Sequence, residues 1–122
     1  MKKIKLIFNS KIPQYLSIFI SIGAITLWPF IIFRNSREEV GETLINHEMI
    51  HIKQQEELWV VGFYILYVYY WLKNLPKYRD SSKAYYNIPF EVEAYLNQED
   101  KKYLSTRSKH SWKKYINHEI VS

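Results

Sequence analysis

The sequence predicts a mainly helical α+β fold, and three features carry that expectation. A proline-free stretch from Ser36 to Val61 opens with helix-start chemistry. Asn87 followed by Pro89 signals a second helix start. Ahead of both, two runs rich in Ile and Phe, at 4–8 and 24–33, favour strands. The chain has 122 residues with no internal repeat and no low-complexity linker, so residues 1–122 read as one domain.

Residues 1–13 are basic (Lys2, Lys3, Lys5, Lys11) around the Ile4–Phe8 run, and Pro13 closes them. No small-residue cleavage site follows, so no cleaved signal is expected. Residues 15–33 are uncharged and just long enough to span a bilayer. Gly23, Pro29 and the abundance of Ile and Phe favour strands instead, and the two readings stay open. Over 37–61 a helix is expected. Ser36 and Glu39 have capping-box spacing, and Glu38, Glu39 and Glu42 suit the positive end of its dipole. Residues 58–72 are apolar on every side, as in a helix buried in protein or lipid. At 1.5 Å per residue they reach about 22 Å, short of the roughly 30 Å hydrocarbon layer. Residues 73–88 read as a polar loop, 89–104 as the second helix, and 105–122 as a basic, aromatic tail turning Trp112, Tyr115 and Ile116 inward.

The chemistry concentrates at His47-Glu48-Met49-Ile50-His51. On a helix, residues four apart share a face with Cβ atoms about 5–6 Å apart. Two imidazoles so placed can bind one zinc ion, while Glu48 reaches the metal's open side as a general base toward water. Cysteine is absent, which excludes disulfides and thiolate sites, so any zinc must take His and carboxylate ligands. Candidate third ligands are Glu91 and Glu93 on the second helix, with His110 and His118 further on. Gln54 can hydrogen-bond a ligand or substrate but reads first as a solvated helix position, and Asn46 has no assigned role. Tyr85, Tyr86, Tyr95, His110 and His118 are candidate oxyanion donors that the sequence does not separate.

These residues resemble a family. H-E-x-x-H followed by a downstream helical E-x-x-A is the arrangement of gluzincin-type metallopeptidases, including the membrane-embedded CaaX-protease group with its E-x-x-A-D. Glu91-Val92-Glu93-Ala94 matches E-x-x-A, which makes Glu91 the counterpart of the third ligand. Tyr95 stands where that pattern has aspartate, so the acidic neighbour is missing or supplied from elsewhere. Asn46-His-Glu-x-x-His-x-x-Gln-Gln with Ile88-Pro-Phe-Glu-x-Glu-Ala-Tyr also looks like small predicted bacterial metallopeptidases, over residues 24–98. The resemblance implies a zincin-like domain, with a strand just before the His47–His51 helix. It also implies Zn2+ at His47, His51 and Glu91, catalysis by Glu48, and a peptide or protein substrate.

The net charge of +5, with 11 Tyr, 6 Phe and 4 Trp, suits an anionic membrane boundary. A nucleic-acid partner has only the charge behind it and is not expected. The expectation is a membrane-associated zinc metallopeptidase at the bacterial inner membrane. The alternative is a non-catalytic membrane protein or complex subunit with a structural or vestigial zinc site. Oligomeric state is not legible. If Glu91 shares an ion with His47 and His51, the 58–72 run cannot cross a bilayer once, because the ligands would fall on opposite sides. It must be buried, lie in the interface plane, or dip in and return.

Overall fold

The computed structural model describes residues 4–15 and 24–122. Lys2, Lys3 and the 16–23 part of the first apolar run lie outside the described residues, and with them that part of the strand-or-membrane question. The architecture is α+β and mainly helical, with one three-stranded sheet.

The strands fall where the Ile- and Phe-rich runs place them: β1 (Lys5–Ile7), β2 (Ala24–Leu27) and β3 (Phe30–Phe33). One helical turn, α1 (Ile12–Tyr15), follows β1, with Pro13 in its first turn. β3 is central. β1 pairs with it in parallel, Leu6 opposite Ile31, and β2 pairs antiparallel, Thr26 opposite Ile31. Alternation along β3 buries Ile31 and Phe33. With Val40 and Ile52 they form the core between the sheet and α2 (Glu42–Glu57).

α2 is shorter than the 37–61 expected. Ser36 Oγ does donate to Glu39 Oε1, at 2.9 Å, but the pair closes a separate turn. In that turn the N–H groups of Glu39 and Val40 return to the Ser36 carbonyl. Val40 is drawn into the core, and the helix restarts from Gly41 as N-cap. At its far end Trp59 and Val60 both take positive φ, 61 and 54. Such a conformation costs about 1–2 kcal/mol in a residue with a Cβ. It breaks the 58–72 run into a turn and a new helix, α3 (Val61–Tyr78).

The polar loop expected over 73–88 is largely helical. α3 continues to Tyr78, with Pro76 in its last turn, where it forgoes one N–H bond to the carbonyl four residues earlier. α4 (Ser81–Tyr86) then starts from Asp80, whose carboxylate accepts from the N–H groups of Ser82 and Lys83 at 2.8 and 3.0 Å. The helix expected over 89–104 divides into α5 (Pro89–Asn97) and one turn, α6 (Tyr103–Thr106). Asn46 Nδ2 reaches over from α2 and donates to the carbonyls of Gln98 (2.7 Å) and Asp100 (3.2 Å). Those oxygens are thereby satisfied outside a helix, and the chain can turn.

Phe63, Ile88, Phe90 and Trp112 make a second core where α3, α5 and a 3-10 turn (Ser111–Tyr115) meet. Trp112 points inward as expected, whereas Tyr115 is half-buried and Ile116 is exposed. Among the described residues no helix is long and apolar enough to cross a membrane.

Candidate metal centre

α2 lies between the two cores with an unusual inner face. His47, Glu48, His51, Gln54 and Gln55 are all buried on it. Buried polar groups are costly unless each finds a partner, so this face forces a hydrogen-bonded network.

His47 and His51 stand one turn apart, and α5 delivers Glu91 to both. Glu91 Oε1 lies 3.0 Å from His47 Nε2 and 3.1 Å from His51 Nε2. The three could hold a metal ion, with one ligand atom from each within 4.8 Å of the others. Atoms bound at roughly 2.0–2.1 Å to one tetrahedral ion lie about 3.3 Å apart, so the cluster is close to a ligand set already.

The outer ring nitrogens are engaged. His51 Nδ1 meets Gln54 Oε1 at 2.7 Å. The orientation of that carboxamide is forced, because Gln54 Nε2 donates to the Phe90 carbonyl (3.1 Å) and to Glu93 Oε1 (2.9 Å), which are acceptors only. His51 Nδ1 must then carry hydrogen. Its Nε2 presents a lone pair toward Glu91 unless a proton or a cation lies between them. His47 Nδ1 similarly meets Gln98 Oε1 at 2.8 Å. Such outer partners orient metal-binding histidines.

The electrostatics point the same way. Burial by itself lowers the His51 imidazole, but the Glu91 carboxylate together with Glu48 and Gln54 more than reverses this and pushes it up to about 9. Burial works against the Glu91 carboxylate too, yet His51 and His47 hold its pKa well below the ordinary range. The second oxygen, Glu91 Oε2, accepts from the Tyr67 hydroxyl at 2.6 Å. Burial and the neighbouring carboxylate raise that hydroxyl well above its ordinary value, so it stays a donor.

Glu48 reaches the same place without joining the trio. Its Oε1 accepts from Thr26 Oγ on β2 at 2.6 Å, and its Oε2 lies 3.9 Å from His47 Nε2. Beside it opens a cavity of about 220 Å³, walled by Glu48, His51, Glu91, Tyr64, Tyr67 and Tyr85 among others. Gln55 braces this wall. Its Nε2 donates to the Thr26 carbonyl and its Oε1 accepts from the Trp28 N–H, both at 2.7 Å, as a neighbouring strand would.

The structure thus gathers His47, His51, Glu91 and Glu48. Glu93, the other candidate ligand, is fully buried but committed elsewhere. It accepts from Tyr103 at 2.6 Å and from Arg107 Nε at 2.8 Å, and Arg107 also holds Glu57. A helical residue two places from Glu91 faces away from it, which is why only one of the two carboxylates can join the histidines. The backbone N–H of His110 donates to Glu57 in this Arg107 cluster, and His118 packs on Tyr115. Tyr95 lies against the His47 ring at 4.4 Å between centroids, with Tyr86 packed on it in turn. Gln98, not an acid after Ala94, faces His47 Nδ1. Gln54 is fully buried, which corrects its reading as a solvated position. Thr26, Tyr64, Tyr67 and Gln98 were not singled out from sequence. Tyr64 and Tyr67 sit in a run that reads as featureless apolar chain, and nothing local marks Gln98.

No protein-family model, curated protein or solved structure matches the chain.

Proposed function

We propose that this chain is a zinc-dependent peptidase in which His47, His51 and Glu91 hold the ion and Glu48 is the general base. One observation carries the reading. Two imidazole nitrogens and a carboxylate oxygen converge within ligand distance of one another, and a fourth group, Glu48, faces the adjoining cavity without joining them. Two nitrogens and one oxygen, with no thiolate, are a donor set for catalytic zinc, which keeps one position for water or substrate. Bound there, zinc would supply Lewis acidity that eases ionisation of water and polarises a carbonyl.

The chain's own residues do the rest. Thr26 fixes one Glu48 oxygen and leaves the other to take a proton from the attacking water. The water oxygen bonds to the scissile carbonyl carbon. Glu48 then returns the proton to the amide nitrogen as the C–N bond breaks. The developing oxyanion needs a donor. Tyr64 spends its hydroxyl proton on the Thr26 carbonyl and Tyr67 on Glu91. Tyr85 lines the cavity and shares a 3.3 Å contact with the Tyr95 hydroxyl, where either can donate. Burial holds Tyr85 well above its ordinary pKa, so it is the cavity tyrosine with a proton to offer.

Glu48→Gln tests the assignment, because Thr26 can donate equally well to a carboxamide oxygen. The variant should bind zinc stoichiometrically and lose about 10²–10⁴-fold in hydrolysis of a generic unfolded protein substrate. Retained cleavage overturns the role of Glu48. Stoichiometric zinc with no turnover by the wild-type chain assigns the ion a structural role instead.

A further inference from the structure

We propose that the outer face of α3, together with Trp59, is a docking surface for an anionic lipid bilayer, on which the helix lies flat.

α3 has two opposite apolar faces. Phe63 and Tyr67 look inward, to the second core and the metal-site cavity. Val61, Ile65, Val68, Tyr69 and Leu72 look outward and are exposed, Ile65 to 64 %. Their spacing of four, three, one and three residues is one continuous stripe along a helix. Isolated exposed apolar residues are ordinary, whereas a contiguous stripe marks an interaction surface. Trp59 stands at the head of the stripe and is 87 % exposed. Two successive residues of positive φ, Trp59 and Val60, hold the chain at that point, a conformation that persists only where the surrounding structure enforces it.

Charge selects the occupant. From Leu58 to Arg79 there is no Asp or Glu, while Lys73, Lys77 and Arg79 gather toward one end, where the acid packed on the helix is Glu119, held by the Tyr78 hydroxyl. An apolar stripe with Trp and Tyr at its edge and cations beside it matches the anionic headgroup region, where such helices sink about 5–10 Å. A second copy of this chain is the rival occupant, and sedimentation of the variants below tells it from the bilayer. A flat helix also meets the constraint that His47, His51 and Glu91 lie on one side of any membrane. It would set the metal cluster about one helix diameter, roughly 10–12 Å, from the lipid surface. The proposal is independent of peptidase activity.

The test is flotation of the full chain with vesicles of phosphatidylcholine alone and of equimolar phosphatidylcholine and phosphatidylglycerol. The wild-type chain should float with the mixed vesicles, and less so as salt is raised. Ile65→Glu with Val68→Glu alters only exposed positions. It should lower partitioning at least about tenfold with an unchanged circular dichroism spectrum and melting midpoint. Lys73→Gln with Lys77→Gln should weaken binding to the anionic vesicles while preserving the fold. The proposal is overturned if the wild-type chain stays unbound with both vesicles, or if the double glutamate variant floats equally well. It is also overturned if sedimentation shows a dimer that those glutamates dissociate while vesicles capture nothing.

Discussion

Gln54→Leu isolates the central physical claim, that a fixed tautomer at His51 makes the metal site. The substitution keeps the approximate volume and apolar bulk. It removes three hydrogen bonds at a fully buried position: 2.7 Å to His51 Nδ1, 3.1 Å to the Phe90 carbonyl and 2.9 Å to Glu93 Oε1. Glu93 keeps Tyr103 and Arg107, so its carboxylate is not orphaned. The loss at His51 is not made good. Its ring can then rotate, or carry its hydrogen on Nε2, where the metal should sit. Loss of such an outer partner typically weakens metal binding about 10–100-fold. Leaving buried polar groups unpaired costs a further ~1–3 kcal/mol in unfolding free energy. Zinc affinity is measured by competition with a chromogenic chelator, and stability by urea titration of the metal-free chain. If Gln54→Leu binds zinc within about twofold of the wild-type chain while folded, the oriented-imidazole argument is wrong.

Tyr67→Phe removes the 2.6 Å hydrogen bond to Glu91 Oε2 and leaves the ring in place; zinc affinity should fall by up to about tenfold, read by the same competition. Arg107→Ala leaves the Glu93 and Glu57 carboxylates facing each other without their cation, so unfolding free energy should drop by about 3–5 kcal/mol in urea titrations. Arg107→Lys should recover little, since one ammonium cannot reproduce the fork that spans both acids. The His51 pKa is raised from 6.5 to about 9 in the folded, metal-free chain. Its contribution to stability is therefore full below pH 6.5 and disappears as pH rises through about 9. Urea midpoints in the presence of a chelator should fall across that window, and saturating zinc should remove the fall. A midpoint that rises with pH there would contradict the placement of Glu91 beside His51.

Much of this molecule is legible from local pattern. Strand-favouring Ile and Phe at 4–8 and 24–33 and the Pro89 helix start depend on near neighbours, and each appears where the pattern puts it. The spacing of His47 and His51 puts two imidazoles on one face because a helix has a fixed pitch. What local pattern misjudges is just as physical. Capping chemistry at Ser36 and Glu39 is present but spent one turn early, because Val40 turns into the core. The expected 89–104 helix divides because Asn46, more than fifty residues away from Gln98 and Asp100, offers their carbonyls a better partner.

The sequence by itself determined the mainly helical α+β class, the strand runs, the two helices that carry the site, and the pair of histidines with Glu48 beside them. It left Glu91 and Glu93 as rivals, read Gln54 as solvated, and had no means of finding Tyr67 or Gln98. Those choices belong to the tertiary structure. A side chain's partners across some forty residues of chain depend on how α2, α3 and α5 pack, and no periodicity records that. The inner face of α2 is polar, so a rule that equates burial with hydrophobicity overlooks it. Only when α5 closes over that face do its hydrogen bonds choose which carboxylate meets the imidazoles.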